Sequence, residues 1–106
     1  MDFNLTDQQR AYVETVRRFV RGEILPHISA MDRRHDFPYG IIHKAWELGI
    51  LNLSIPAAVK GYELDAVSSA LIIEELSYGD SSISTSAMCN DLANAVIARH
   101  GTAAQQ

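Results

Sequence analysis

Few side chains in this sequence are placed to do chemistry, and they are scattered. The four histidines are His27, His35, His43 and His100. There is no His-Glu-x-x-His run and no Cys/His pair at metal-ligand spacing, so no metal site is expected. Histidines spread this way read as exposed or helix-end residues. Glu74 and Glu75 are adjacent carboxylates, but neighbours on a helix point about 100° apart and cannot face one substrate atom. They read as ion-pairing residues. Ser81, Ser82, Ser84 and Ser86 crowd one helix start, with no histidine or lysine at a spacing that would activate a hydroxyl. Neither glycine-rich phosphate signature occurs, so the chain carries no nucleotide cradle of its own. No catalytic residue is assigned.

One stripe does stand out. Helical geometry sets Ser84, Met88, Leu92 and Ala95 on one line, with Cys89 and Val96 beside it and Asn90, Asp91 and Asn94 elsewhere. Such a stripe ordinarily packs against neighbouring helices. Its small side chains and flexible methionine would equally leave room for an apolar ligand lying along the helix.

The elements that must position this stripe are helices. Thr6 is a helix N-cap, with Gln9 completing a capping box. Val13, Val16, Phe19, Val20 and Ile24 then recur at helical spacing, predicting a helix from Asp7 to about Leu25. Pro26 must end or kink it, and residues 27–34 read as a kinked continuation. A second helix is predicted from Tyr39 to Leu48, with Ile42, Ala45, Trp46 and Leu48 inward. Gly49 can turn left-handed after it. Ile50, Leu51, Leu53 and Ile55 alternate with Asn52 and Ser54, as in a buried extended link that Pro56 closes. Residues 57–64 read as a loop. Asp65 caps a third helix with Val67, Ala70, Leu71, Ile73 and Leu76 as its apolar set, and Gly79 closes it. Asp80 or Ser81 caps a fourth, which carries the stripe to His100 and ends at Gly101. Thr102 and Gln105 repeat the capping pattern and announce a fifth helix, truncated in its first turn. The reading is all-α: one domain over residues 1–106, a bundle of about four helices plus that truncated fifth, cut from a larger protein.

The totals exclude several classes. A chain of 106 residues makes one domain. Net charge is −4, from nine basic and thirteen acidic residues, which argues against a nucleic-acid partner. Arg17, Arg18 and Arg21 sit near Glu14 and Glu23 and read as a solvated, ion-paired face. The lone cysteine, Cys89, forms no internal disulfide and fits a reducing compartment. No apolar run is long enough to span a bilayer. The polar opening, MDFNLTDQQ, is neither a signal nor a transit peptide. A soluble intracellular protein is expected: cytoplasmic, or in the mitochondrial matrix if a eukaryotic mature form.

Two motifs in order, AWELGILNLSIP (45–56) and LIIEELSYGDSSIS (71–84), resemble the N-terminal helical domain of the acyl-CoA dehydrogenase flavoproteins, medium- or short-chain type. FNLTDQQRAYVETVRRFVRGEILPHISAMDRRHDFP is similar to that family's first helix and proline bend. NDLANAVIARHGTAAQQ is similar to its long helix and the start of the next. The resemblance implies an enzyme that oxidises an acyl-CoA to the trans-2-enoyl-CoA, holds FAD between its middle and C-terminal domains, forms a homotetramer, and passes electrons to an acceptor flavoprotein. The family's flavin site and catalytic glutamate map outside these residues, so this chain alone is expected to be inactive and not to bind FAD. The family's pocket-lining positions fall on Ser84, Met88 and Leu92, which the resemblance makes substrate-binding residues. Medium-chain members carry larger polar residues at the first two, so only Leu92 matches. A second departure lies at Lys60, Gly61 and Glu63, where the family shows Gly-Gly and another glycine; a changed loop conformation is expected. Surface left apolar by absent domains implies self-association. Two alternatives stand beside this reading: a stand-alone helical interaction module, and a small carrier of apolar ligands built on the stripe.

Overall fold

A computed structural model of the chain describes residues 3–106. Its helices are α1 Asp7–Phe19, α2 Ile28–Arg34, α3 Tyr39–Glu47, α4 Ala66–Gly79 and α5 Ser81–His100, and no strand occurs among the described residues. A π-helical turn, Val20–Ile24, extends α1, and a 3-10 turn, Ala57–Val59, lies in the loop before α4. The all-α reading holds. The predicted fifth helix after Gly101 is instead a hydrogen-bonded turn: Gln105 Oε1 accepts from the Thr102 N–H at 2.8 Å, and the Gln105 N–H donates back to the Thr102 carbonyl at 2.9 Å. A single turn cannot offset the cost of helix nucleation.

Local chemistry sets the helix starts. The Thr6 hydroxyl accepts from the Gln9 N–H at 3.1 Å and the Gln9 side chain accepts from the Thr6 N–H at 3.0 Å, closing a capping box on α1. Asp65 caps α4 through the Val67 and Ser68 N–H groups, and Asp80 caps α5 through the Ile83 N–H. Before Pro26 the Leu25 N–H reaches back five residues to the Val20 carbonyl at 2.9 Å, a widened turn that ends the first helical stretch. α2 is then a separate helix.

α3 ends on a left-handed Gly49 with φ 81°. The Gly49 N–H bonds the Trp46 carbonyl and the Ile50 N–H bonds the Ala45 carbonyl, the two bonds of a Schellman motif. Residues 50–55 are not an extended run. They form bends and turns, with Asn52 left-handed at φ 58°. Ile50, Leu51, Leu53 and Ile55 are nevertheless all buried, as their apolar character requires.

α1 packs on α4 and α4 on α5, while α3 leans more lightly on α5. Val16, Phe19, Val20 and Ile24 meet Ile72 and Leu76 of α4, Ile83 and Ala87 of α5, and Ile41 and Ala45 of α3 in one core. Gly79 closes α4 without a left-handed φ. Its role is close approach, since a Cβ there would lie 2.7 Å from a Val20 methyl. The molecule is only 21 Å across its thinnest dimension, about two helices. A sheet of helices this thin buries one face of each.

That geometry corrects several expected faces. Ile41 and Ala45 are the buried residues of α3, whereas Trp46 and Leu48 are exposed. On α4 the inward line is Ser68, Ile72 and Leu76; Val67 and Ala70 face solvent. Arg10 pairs along α1 with Asp7, whereas Arg17 pairs across helices. Arg17 makes a two-pronged bond to Glu75 of α4, which raises the guanidinium pKa, and Glu23 takes Lys44 of α3 at 2.6 Å.

A candidate ligand groove along α5

The first half of α5 is built from small residues, so α4 and the 50–55 turns cannot close over it fully. An open-sided groove of about 610 Å³ remains, lined by Ile73 and Ser77 of α4, Ser54, and the α5 residues Ser84, Met88, Cys89, Leu92 and Ala95, among others. The structure therefore brings Ser84, Met88 and Leu92 together on one surface. Ser84 is buried at the floor, where its hydroxyl accepts from the Ser77 hydroxyl at 2.9 Å. Met88 is half-buried against the core. Leu92, 72% exposed, stands at the mouth. A largely satisfied polar floor with Met88, Leu92, Ala95 and Ile73 around it suits a nonpolar chain, and the one carboxylate on the lining, Asp91, is occupied by backbone amides.

The residue that wheel geometry missed is Asp91. It is buried, not set apart from the packed face. Its Oδ1 accepts from the Asn52 N–H at 2.5 Å and its Oδ2 from the Ser54 N–H at 3.4 Å. Asn90 and Asn94 both donate to Asn52 Oδ1, at 2.7 and 2.8 Å. Their partners lie 37 to 42 residues away in sequence, so periodicity along α5 gave no sign of them. The sign available was the pair of polar residues, Asn52 and Ser54, inside an otherwise apolar run.

Several basic and anion-binding features elsewhere are already engaged. The α4 N-terminus, which could receive a phosphate, is filled by the Asp65 carboxylate, and the α5 N-terminus by that of Asp80. The Ser68 hydroxyl, 2.5 Å from Asp65 Oδ2, and the Ser68 N–H hold the Asp65 carboxyl below the usual carboxylate range. Arg17 and Lys44 are tied to glutamates. The two capped helix ends are thereby closed to the pyrophosphate of a flavin dinucleotide. Among the described residues no cluster of His, Cys, Asp and Glu could hold a metal, and no helix is long and apolar enough to cross a membrane.

The loop at residues 57–64 has left-handed backbone at Lys60, φ 67°, and at Glu63, φ 48°. These are conformations that glycine adopts without penalty and that side chains rarely take. Gly61 between them cannot be replaced freely, because a Cβ would lie 2.0 Å from the Ile55 carbonyl oxygen.

Residues 6–106 match the family described as acyl-CoA dehydrogenase, N-terminal domain. The chain belongs to the acyl-CoA dehydrogenase family. It is 35% identical over 83 residues to benzylmalonyl-CoA dehydrogenase of Aromatoleum aromaticum, a match covering 78% of this chain and 22% of the relative. Butyryl-CoA dehydrogenase from Megasphaera elsdenii superposes with a TM-score of 0.87 at 27% identity, over 99% of this chain and 28% of that one. A chain from structural work on the electron transferring flavoprotein of Acidaminococcus fermentans gives the same TM-score, 0.87, at 29% identity, over 99% of this chain and 28% of its own length. The chain thus spans less than a third of the length of each of these relatives.

Proposed function

We propose that this chain serves as the N-terminal helical domain of an FAD-dependent acyl-CoA dehydrogenase, which oxidises an acyl-CoA thioester to the trans-2-enoyl-CoA. Its part is to supply one wall of the acyl pocket, through Ser84, Met88 and Leu92, and contacts to other domains or subunits. The single observation that carries this is the groove: three residues spaced a helical turn apart line one apolar surface with a satisfied polar floor. Flavin, when bound by the complete enzyme, supplies the acceptor for the hydride, and a flavoprotein partner takes the electrons onward. The helices here hold neither group. They exclude water from the far end of the acyl chain and set its path.

Exposed apolar residues further along α5, Val96 and Ile97 beside Leu92, support docking onto other domains and self-association of the isolated chain. A reducing compartment, cytoplasm or mitochondrial matrix, suits the exposed thiol of Cys89.

Equilibrium dialysis of the purified chain against FAD tests the division of labour. No retained flavin is expected. Stoichiometric, tight retention of FAD would overturn it.

A further inference from the structure

We infer that Asp91 is a positioning residue for the groove: it holds the turn at residues 52–54 against α5 and so fixes the wall that limits how long an apolar group the groove accepts. The inference rests on the reading of the groove as an acyl site and deepens it.

The turn has no helix or strand to stiffen it. Ser54, which forms part of the groove wall next to Asp91 itself, sits within it. Its two amides at Asn52 and Ser54 point at α5, and both end on the same buried carboxylate. Buried N–H groups left without acceptors are costly, and a charged acceptor bonds them more strongly than a neutral one. Asn52 is held again from the other side, because its Oδ1 accepts from both Asn90 and Asn94. Three side chains on one face of α5 therefore converge on one left-handed residue, two positions before the groove wall. An irregular wall pinned this firmly resists being pushed outward by a longer ligand. Without the pin, it would yield.

Cys89 provides the reporter, being the only cysteine and lying on the groove lining. Alkyl methanethiosulfonates from methyl to dodecyl are reacted with the full chain. The Cys89 thiolate attacks the sulfenyl sulfur, a mixed disulfide forms, and methanesulfinate leaves. A fully buried methylene is worth about fourfold in binding, so a half-open groove should raise the wild-type rate by about twofold per carbon until the wall is met, after which the rate levels. In Asp91→Ala the levelling should move to longer reagents, raising the dodecyl-to-butyl rate ratio by at least about threefold. Asp91→Asn should fall between, because its carboxamide accepts one N–H but turns its own donors toward the other.

A wild-type rate that ignores alkyl length would overturn the acyl reading of the groove, and this inference with it. A length-dependent wild type whose ratio is unchanged in Asp91→Asn, which keeps the side chain's size on the lining, would overturn the positioning role of Asp91 alone. So would a uniform rise for every reagent, which is what simple loosening produces. If circular dichroism shows Asp91→Ala unfolded, the Asp91→Asn ratio decides.

Discussion

Replacing Gly61 by alanine should cost this domain a large part of its stability, for a reason that is wholly steric. Gly61 does not have a positive φ, so no left-handed penalty opposes alanine there. The obstacle is space. A Cβ would lie 2.0 Å from the Ile55 carbonyl oxygen, 2.4 Å from its carbonyl carbon and 2.5 Å from its Cβ. None of these atoms ends a flexible side chain. Ile55 is 4% exposed, and its carbonyl already accepts the Glu63 N–H at 2.9 Å. Overpacking a core costs about 1–3 kcal/mol, and a backbone clash belongs at the upper end. At about 4–8 °C per kcal/mol for a domain of this size, a loss of about 3 kcal/mol lowers Tm by roughly 12–24 °C. Gly22→Ala is the control, since nothing lies within 4 Å of its added Cβ. That change should raise stability by about 0.5–1 kcal/mol through helix propensity. Thermal and urea unfolding followed by far-ultraviolet circular dichroism compares the two. A Gly61→Ala variant within about 0.5 kcal/mol of the parent, the ordinary range for surface changes, would refute the argument from close approach.

Three other outcomes are expected. Lys60→Gly should stabilise the chain by roughly 0.5–1 kcal/mol, because the left-handed penalty removed exceeds the added entropy of the unfolded glycine; a lower Tm would contradict this. The Asp65 carboxyl titrates below its ordinary range in the folded chain, so its contribution is complete above the unfolded pKa and is lost as pH falls through the folded one. Melting curves from pH 6 downward should therefore show the wild-type advantage over Asp65→Asn shrinking with acid, whereas a constant difference would contradict the assignment. Leu92→Ser should leave stability within about 0.5 kcal/mol, as for an exposed position, while weakening capture of acyl probes; the paired melting and binding measurements separate the two.

Features governed by near neighbours were legible in the sequence. The caps at Thr6, Asp65 and Asp80 depend on residues two or three positions away, and each formed as its side-chain chemistry requires. The burial of Ile50, Leu51, Leu53 and Ile55 also followed from residue type alone. Helix faces were less legible, because a thin layer of helices gives each one few neighbours. α3 has nine residues, too few for a full apolar stripe, and the large Trp46 was left outside while small Ala45 went in. The pairing of Arg17 with Glu75 joins residues 58 apart and could not be chosen over the nearer Glu14 by spacing. Asp91 is the sharpest case. An acid in a helix reads as solvent-facing unless the amides it will accept are known, and those belong to a turn that the sequence pattern presents as extended.

The most direct test of the groove is the methyl spectrum of the chain labelled with carbon-13 at the methionine methyl groups. Met88 lies on the groove and Met31 packs elsewhere on the core, between α2 and the start of α5. Titration with a medium-chain acyl-CoA should shift the Met88 methyl in a saturable way and leave that of Met31 in place. A Met88 signal that does not move, or a Met31 signal that moves in its stead, would contradict the assignment of Ser84, Met88 and Leu92 to the acyl wall.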